Sequence, residues 1–389
     1  MMLTCIFYSA LSKAILLNEH LFFAIMNVKC SYFGECGGCS LQNLSYDEQL
    51  KKKINEVSIL INYPKDKIKA YSGNEYGYRN RMDFLFDKGN IGFRRKGKWF
   101  SVIDVDSCPI SNDVINKILK EVRSLKKIEG LRYAVIRATN IDSCVTFIVK
   151  DNFKNYDLLK KFAEESAAKN ILIGKTSKEN EQSVSDNLKV IKGSQYLKEK
   201  INNFVFEFHS QGFFQSNSVV AEKLIDYVKS ILRKYKGGEL LDLYGGVGLF
   251  GIVCSDLFDK VRIVESYNGS VECANRNIKR NKIDNANDDS AIDISAVCLD
   301  ANKINEIVFG SDLKVIVDPP RIGMGYTAIQ RVCEKKPKVI VYVSCSPSQL
   351  CQELVLFSKQ GYNIKSCAIF DMFPQTEHCE VVVELVQVK

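Results

Sequence analysis

Residues 239–248 of this 389-residue chain read ELLDLYGGVG, and this segment is the strongest indication of the fold. A short apolar strand runs directly into a turn with three glycines, which let the backbone come close to a ligand and open the following helix. Helical segments then alternate with further strand-like runs, at 260–264, 294–298, 313–317, 338–343, 362–370 and 380–387. The first five strands, which alternate with helices, predict an α/β protein with a parallel, doubly wound sheet whose ligands lie at the carboxyl ends of its strands, and the last two strands close the chain.

An acidic residue at a suitable spacing makes the glycine-rich turn a candidate cofactor site. Glu265 ends the next strand, 20 residues after the first glycine of the turn, where an acid typically binds ribose hydroxyls. The dinucleotide pattern G-x-G-x-x-G is absent and Asp242 would repel a pyrophosphate, so we expect a nucleoside cofactor without phosphates, S-adenosylmethionine being the obvious candidate. Gly246 would lie against it, and Asp318 would face the reacting centre. Asp300 could meet the adenine edge, or could simply cap a helix.

The segment YVSCSP, residues 342–347, contains a candidate nucleophile. It places Cys345 between a buried strand and a helix that begins near Pro347, and the positive end of a helix favours the thiolate. A thiolate beside a methyl donor indicates pyrimidine methylation, because thiolate addition at carbon 6 makes carbon 5 nucleophilic. A base must then remove the proton from carbon 5. Glu380 is the candidate and Glu377 the nearest competitor, although either glutamate by itself would be a solvated turn residue.

Four cysteines form a second pattern, Cys30-x5-Cys36-x2-Cys39 with Cys108 far downstream and followed by proline. Closely spaced cysteines closed by a remote one are typical of iron–sulfur ligation, where the last cysteine often precedes proline. A structural zinc site is the alternative, since four thiolates also bind zinc. Either metal would tie the N-terminal segment to the end of a predicted β-meander at 78–105.

Composition narrows the class of protein. An apolar fraction of 46% with 23 glycines and 7 prolines excludes a disordered or collagen-like chain. Fourteen cysteines scattered over this length favour a reducing compartment, so we expect a cytoplasmic protein. Residues 1–29 lack the features of a signal peptide and any uncharged run long enough for a membrane helix, so they are treated as an uninformative extension.

Charge is concentrated in one part of the chain. The net charge is +8, and residues 51–100 alone contain 13 basic and 5 acidic side chains. A localised basic surplus of this kind points to a polyanion-binding surface, with a solvated lysine-rich helix face as the alternative.

The remaining patterns predict a smaller, strand-rich central region. A helix over 45–61 precedes the meander, and a helix over 111–126 would bury a face that includes Val114. Strands and one further helix follow, at 131–137, 144–149, 154–168 (the helix), 171–174 and 187–192. The predicted organisation is an extension (1–29), a cysteine-rich and basic segment (30–110), a central α+β domain (111–205) that shares the meander, and the sheet domain (206–389).

Together these residues resemble the RNA uridine-carbon-5 methyltransferase family, whose members methylate uracil in ribosomal or transfer RNA. The resemblance extends from Cys30 to the C-terminus. It rests on the four cysteines and on these segments: YRNR (78–81), IGFR (91–94), GFFQSN (212–217), DLY (242–244), DPPR (318–321), the Cys345 segment, and DMFP (371–374) leading to Glu380.

The resemblance implies a seven-stranded, Rossmann-like methyltransferase domain, a small β-rich central domain and a cluster-bearing segment. It implies a 4-iron-4-sulfur (4Fe-4S) cluster on the four cysteines, Cys345 as nucleophile and Glu380 as base. It also implies contacts to S-adenosylmethionine from Gln215, Tyr244, Glu265, Asp300 and Asp318. Many members begin with a small RNA-binding β-barrel, for which the residues before Cys30 are too few, and this leaves the RNA target open.

These features predict an enzyme that extrudes one uridine from folded RNA, stacks it near Phe213 or Phe214 and methylates carbon 5 through a Cys345 adduct. The phosphates would be held by six basic residues: Arg79, Arg81, Arg94, Arg95, Lys96 and Lys98. The preferred substrate is 23S ribosomal RNA, with transfer RNA as the second choice.

Two other activities are alternatives. Cytosine methylation usually needs a second cysteine in the segment that contains Asp318, and a non-catalytic iron–sulfur RNA-binding protein would leave Cys345 and Glu380 unexplained. We expect a monomer with no membrane partner.

Overall fold

The structure is a computed structural model that describes residues 28–176, 182–185, 187–282 and 292–387. The predicted N-terminal extension therefore lies outside the described residues up to position 27. The α-helices of the described ranges are α1 (Tyr46–Ile61), α2 (Asp113–Val122), α3 (Tyr156–Glu165), α4 (Ser218–Leu232), α5 (Leu249–Cys254), α6 (Asn268–Arg280), α7 (Gly325–Glu334) and α8 (Pro347–Lys359). Across these ranges, no helix combines the length and the apolar character that spanning a membrane requires.

The strands of the described ranges form two large sheets and a hairpin. They are β1 (Ile68–Tyr71), β2 (Arg81–Asp87), β3 (Asn90–Arg95), β4 (Lys98–Asp104), β5 (Leu131–Ala138), β6 (Ser143–Lys150), β7 (Asn170–Thr176), β8 (Leu188–Lys192), β9 (Tyr196–Ile201), β10 (Phe204–His209), β11 (Glu239–Leu243), β12 (Lys260–Glu265), β13 (Asp293–Cys298), β14 (Leu313–Val317), β15 (Val339–Ser344), β16 (Tyr362–Phe370) and β17 (Glu380–Gln387).

The first sheet has eight strands in the order β1-β16-β17-β15-β14-β11-β12-β13. Strands β11 to β15 are mutually parallel, as their alternation with helices predicts, and β17 runs antiparallel to both β15 and β16. The seven predicted strands are all present, and the α/β class is confirmed. Because the parallel strands end at one edge, their exit residues and the beginning of β17 lie together there.

The eighth strand, β1, was not predicted from the sequence. It pairs in parallel with β16, with Ile68 beside Cys367, while α1 packs against α8. Residues 46–71 therefore extend the methyltransferase-like sheet, although the predicted organisation placed them in the cysteine-rich and basic segment. Four residues with one fully buried side chain are too few to show the alternation by which a strand is recognised.

The second sheet forms the central region and has seven strands in the order β4-β3-β2-β5-β6-β7-β8. The predicted meander is confirmed as β2, β3 and β4, joined by turns at 88–89 and 96–97. Helix α2 begins where expected, since Asn112 accepts a hydrogen bond from the backbone N–H of Ile115 at 2.9 Å. Its buried face is formed by Ile115, Ile118, Leu119 and Val122, but Val114 is exposed, contrary to the prediction.

A hairpin of β9 and β10, also missing from the prediction, connects the two sheets. The side chains of Asn277 in α6 and of Asn281, which caps α6, each form two hydrogen bonds with the backbone of β10, to Glu207 and Val205 respectively, at 2.7–3.0 Å. These amides satisfy the free edge of the strand. The hairpin thereby positions the loop at 211–217, which contains the GFFQSN segment.

Candidate active site

The strand register brings the predicted nucleophile and base together. In the antiparallel pair of β15 and β17, Ser344 lies opposite Val381. Cys345 directly follows Ser344 and Glu380 directly precedes Val381, so the two residues lie side by side where β15 ends and β17 begins. The Glu380 carboxyl is close enough to the thiol to raise the pKa of Cys345. The thiol and the carboxyl can thus act on one substrate.

Opposing charges surround the thiol of Cys345. Burial, together with the Glu380 and Asp318 carboxyls, raises the pKa of Cys345 to about 11, and the Arg321 guanidinium opposes this shift. The helix end at α8 was expected to favour the thiolate. Here desolvation and two nearby carboxyls outweigh that effect, so the thiol is largely protonated at neutral pH.

Burial raises the pKa values of two carboxyls in the site, those of Glu380 and Asp318. Burial raises the pKa of Glu380 to about 7, against the influence of Arg321. Burial, with the neighbouring Glu380 and Asp242 carboxyls, also raises the pKa of Asp318. A carboxyl that titrates near pH 7 matches the requirement for a general base. The sequence analysis assigned no role to Arg321. Its position three residues after Asp318 could have identified it as a residue of the active site.

Glu377, the competing candidate for the base, lies in a different environment. Its side chain is exposed and forms an ion pair with Lys52 at 3.0 Å. The hydrogen bond from Lys52 lowers the pKa of Glu377. This carboxylate is therefore paired at the surface, and the geometry favours Glu380.

The glycine-rich turn after β11 has the tight shape expected of a cofactor loop. Tyr244, Gly246 and Gly248 have φ values of 63°, 53° and 90°, in the left-handed region. A Cβ atom on Gly245 would lie 2.5 Å from Ile263, so the turn sits directly on the neighbouring strand. A non-glycine residue in this conformation is uncommon, and strain of this kind is concentrated at functional sites.

Glu265 is oriented by backbone N–H groups at the end of β12. One carboxylate oxygen accepts a hydrogen bond from Gly246 at 3.2 Å and the other from Tyr267 at 2.8 Å. Asp242, by contrast, is fully buried under the turn, where Oδ2 accepts a hydrogen bond from the N–H of Gly251 at 2.7 Å. Burial raises the pKa of Asp242 to about 7. An oriented carboxylate beside a glycine-rich turn fits ribose hydroxyls, so these residues suit a nucleoside cofactor.

The remaining predicted cofactor contacts lie at the same edge but differ in their bonding. Asp300 caps the short helix at 301–306 by accepting a hydrogen bond from the N–H of Asn302 at 2.7 Å, which confirms the capping alternative for one of its oxygens. Burial and several carboxyls, Asp300 among them, raise the pKa of Tyr244. Gln215 is buried, and its backbone carbonyl accepts a hydrogen bond from the side-chain amide of Asn80 at 3.0 Å.

The two phenylalanines of the GFFQSN segment have separate roles. Phe214 is only 8% exposed and stacks on Phe208, with ring centroids 4.5 Å apart. Phe213 is 75% exposed. Phe214 therefore belongs to the core, and only Phe213 of the predicted pair presents a free face on which a base could stack.

The loop at 371–380, which leads to Glu380, is anchored by helix α1. Lys53 and Asp371 form a fully buried ion pair at 2.6 Å. The side-chain amide of Gln49 donates a hydrogen bond to Oε1 of Gln375 and accepts one from the backbone N–H of Gln375, each 3.0 Å long. These contacts between distant parts of the chain fix the approach to β17. They were not predicted, since Lys53 looked like one lysine of an exposed basic run.

The four cysteines of the predicted metal site converge on one cavity. Cys30, Cys36, Cys39 and Cys108 line a cavity of about 360 Å³. Burial raises the pKa of the first three thiols, in the case of Cys39 to about 12, and the proximity of Cys108 adds to each shift. Within the described ranges, however, no group of three or more His, Cys, Asp or Glu side chains is arranged so that it could hold a metal ion. Four soft thiol donors around one cavity still fit the chemistry of an iron–sulfur cluster or of zinc.

Most of the predicted phosphate-binding arginines already have partners within the protein. Arg81 pairs with Asp83 at 2.9 Å, Arg95 pairs with Glu35, and Arg79 lies 6.0 Å from the ring centroid of Phe373. The guanidinium of Arg94 donates to a backbone carbonyl. These contacts reduce the number of charges that are free for RNA.

The tip of the meander is the most exposed part of the predicted basic surface. Lys96 and Lys98 are exposed, as are the adjacent aromatic rings of Trp99 and Phe100, at 71% and 66%. The two rings lie edge to face, with centroids 6.0 Å apart. Exposed aromatic side chains beside lysines are typical of single-strand nucleic acid contacts. The aromatic pair was not predicted, although its position directly after the basic run that ends at Lys98 was visible in the sequence.

The fold and the site define a class of protein: a nucleoside-cofactor methyltransferase that has a thiol beside a carboxyl at its cofactor edge. Comparison with known proteins identifies the family. The family model for tRNA (Uracil-5-)-methyltransferase matches residues 45–388. The chain belongs to the RNA uracil-5-methyltransferase family, whose members are S-adenosylmethionine-dependent enzymes, and the resemblance noted from the sequence is confirmed.

Similar proteins cover most of the chain. The tRNA (uracil(54)-C(5))-methyltransferase of Pyrococcus horikoshii is 33% identical over 375 residues, which are 93% of this chain and 86% of the relative. The Pyrococcus abyssi protein of the same name is 32% identical over 380 residues, with 92% and 85% covered. A crystal structure of the P. abyssi tRNA (uracil-54, C5)-methyltransferase in complex with S-adenosyl-L-homocysteine superimposes with a TM-score of 0.74 at 28% identity, covering 91% of this chain and 86% of that one.

Proposed function

We propose that this enzyme methylates carbon 5 of uridine 54 in transfer RNA. The similar proteins named above act on this nucleotide, and they resemble the chain over nearly its whole length. Ribosomal RNA, the first choice from the sequence, has no such support. Transfer RNA, the second choice, therefore becomes the preferred substrate.

The proposed mechanism is supported by the pairing of Ser344 with Val381, which brings the ends of β15 and β17 together, and by the effect of the Glu380 carboxyl on the pKa of Cys345. The thiolate of Cys345, its proton lost to solvent, adds to carbon 6 of the uracil. A carbon–sulfur bond forms, and the electrons of the carbon 5–carbon 6 double bond move to the carbonyl at carbon 4. Arg321, which favours the thiolate, assists this step. Carbon 5 is then nucleophilic.

Glu380 completes the reaction after carbon 5 has been methylated. Its carboxylate removes the proton from carbon 5, the double bond re-forms, and the thiolate of Cys345 leaves carbon 6. The proton then passes from Glu380 to solvent. The pKa of Glu380, raised by burial to about 7, lets the carboxyl both accept and release a proton near neutral pH.

S-adenosylmethionine, when bound, supplies the methyl group to carbon 5. The residues that would hold it are those at the carboxyl edge of the large sheet: Gln215, Tyr244, Gly246, Glu265, Asp300 and Asp318. Glu265 would accept hydrogen bonds from the ribose hydroxyls. The strained turn at Tyr244 would present backbone and ring to the nucleoside.

We also propose that Cys30, Cys36, Cys39 and Cys108 hold a 4-iron-4-sulfur cluster, with zinc as the alternative. The support is their convergence on one cavity and the softness of four thiol donors. Iron and sulfide analysis of protein purified without oxygen, together with its visible absorbance, separates the two metals. About four irons and four sulfides per chain is the expected result, and a single zinc without sulfide contradicts it.

Methyl transfer by the purified protein tests the proposed substrate. Labelled S-adenosylmethionine is supplied with unmodified transfer RNA or with 23S ribosomal RNA, and 5-methyluridine is mapped in the products. We expect one labelled uridine, position 54, in transfer RNA. Cys345→Ala should abolish labelling, whereas Cys351→Ala, six residues further along in α8 and half-buried, should retain it. Labelling of ribosomal RNA alone would reject the substrate, and full activity of Cys345→Ala would reject the mechanism.

A further inference from the structure

A basic groove lies at one end of the central sheet, away from the candidate active site. Three segments, 86–89, 126–132 and 150–155, line a cavity of about 940 Å³. They are the turn between β2 and β3, the entry to β5 and the exit from β6. Its ionisable lining residues are predominantly basic: Lys88, Lys126, Lys127, Arg132, Lys150 and Lys154 against Asp87 and Glu129.

Much of this charge is not neutralised within the protein. Among the described residues, four exposed lysines of the groove form no ion pair: Lys88, Lys127, Lys150 and Lys154. Lys126 is paired with Asp104 at 3.3 Å. Like charges on adjacent loops repel one another, so a polyanion that neutralises them would bind favourably.

The backbone holds these lysines in a fixed arrangement. The N–H of Lys150 donates to the carbonyl of Gly130 at 2.8 Å, and that of Phe153 donates to the carbonyl of Lys150 at 3.0 Å. Adjacent strands are about 4.8 Å apart, so the β2–β3 turn and the exit of β6, which flank β5, are separated by roughly 10 Å. Two or three successive phosphates of a stacked strand fit this span, at roughly 3.4 Å each along the axis.

The groove lies far from the reacting groups. Strand β5 has eight residues, so its two ends are roughly 24 Å apart. The groove is at the beginning of β5. At the other end, the N–H of Ala138 donates to the carbonyl of Asn80 at 2.9 Å, and Asn80 in turn holds the loop that contains Gln215. An RNA that fills both places must extend at least this far from the target uridine.

We propose that this groove binds the phosphate backbone of the substrate RNA about 24 Å from the uridine that is methylated. It rests on the proposed function only in requiring a folded RNA substrate. The groove contains none of the six basic residues for which the sequence predicted phosphate contacts. It makes the enzyme favour a complete folded RNA over an isolated target loop, because only the complete RNA reaches these lysines.

A triple variant, Lys127→Ala/Lys150→Ala/Lys154→Ala, tests the proposal. The control, Lys236→Ala/Lys338→Ala/Lys359→Ala, removes the same charge from exposed lysines that precede β11, β15 and β16, at the edge opposite the cofactor residues. Both are compared with the unaltered enzyme on full-length transfer RNA and on its target hairpin with a five-base-pair stem, which spans roughly 17 Å. Gel-shift affinity at several salt concentrations and KM are measured for each RNA.

We expect the groove variant to bind full-length transfer RNA more weakly, with a higher KM and an unchanged kcat. Its plot of log affinity against log salt should be shallower by about 2 to 3 units, for three lost phosphate contacts. The hairpin should be bound as well as before. Equal losses for both RNAs, equal losses in the control, or no loss at all would each overturn the proposal. If the unaltered enzyme methylates neither RNA, the proposed function fails instead, and the affinity comparison still decides the groove.

Discussion

Replacement of Glu380 by glutamine separates the first and last steps of the proposed reaction. The side chain is 7% exposed, and its carboxyl accepts no hydrogen bond from the described residues. The amide has nearly the same shape and no charge, so the site should keep its packing. What the variant loses is the ability to remove the proton from carbon 5.

The substitution should slow release of the thiolate from the adduct but should not slow formation of the adduct. General-base catalysis contributes about 10²–10⁴-fold, so release of the thiolate should slow by that factor. Adduct formation should not slow, because the Glu380 carboxyl is one of the groups that raise the pKa of Cys345. Each unit by which that pKa falls gives about ten times more thiolate at a fixed pH. Glu380→Gln should therefore accumulate the methylated RNA bound to Cys345.

Denaturing gel electrophoresis with labelled RNA measures the adduct, and released 5-methyluridine measures turnover. The expected result is a stable protein–RNA band with a turnover rate about 10²–10⁴-fold lower. Glu377→Gln is the matched control, since this exposed glutamate pairs with Lys52 and should turn over normally. Normal turnover by Glu380→Gln, or slow turnover without the protein–RNA band, would contradict the proposed role of Glu380 as the base.

Three further outcomes follow from the site and its supports. The single-turnover rate should rise about tenfold per pH unit between roughly pH 8 and 10, because the pKa of Cys345 lies at about 11 and only the thiolate adds to the uracil. A single-turnover rate that does not change with pH in stopped assays would contradict this. Lys53→Ala should lower the free energy of unfolding by about 3–5 kcal/mol by leaving Asp371 buried and unpaired. Substitution of the neighbouring, partly exposed residue, Lys52→Ala, should lower the free energy of unfolding by less than about 1 kcal/mol. Urea denaturation measures both changes. Phe213→Ala should raise KM for RNA without a change in urea midpoint, since the ring is exposed; an unchanged KM would exclude it from base stacking.

Local patterns predicted the elements whose burial repeats regularly. The seven predicted strands of the large sheet were identified from their apolar residues, most clearly in β14 and β15, where every residue is buried. Helix α1 was identified from its periodicity, and its start is fixed by the capping box between Ser45 and Glu48. Strand β1 was missed because it is short and its partner, β16, lies almost 300 residues further along the chain. The β9–β10 hairpin was missed although its two strands pair locally and β9 alternates regularly between buried and exposed residues, so this signal was present in the sequence.

The site was predicted as a set of residues but not as an electrostatic environment. Cys345 and Glu380 could be paired from the chemistry that each side chain supports. Their pKa values could not, because they depend on burial and on Asp318 and Arg321 together. Likewise, Lys53 could not be distinguished from its exposed neighbours, since its partner lies 318 positions away.

That separation between partners also determines when the enzyme becomes active during its own synthesis. Gln49 and Gln375 are 326 positions apart, so at about 5–20 residues per second the ribosome needs roughly 16–65 s to deliver the second partner after the first. Until then β1 has no neighbouring strand, and nothing holds the approach to Glu380. Glu380, the proposed base, is thus organised last, when the final strands close the sheet. We therefore expect a nascent or C-terminally shortened chain to be unable to complete the methylation.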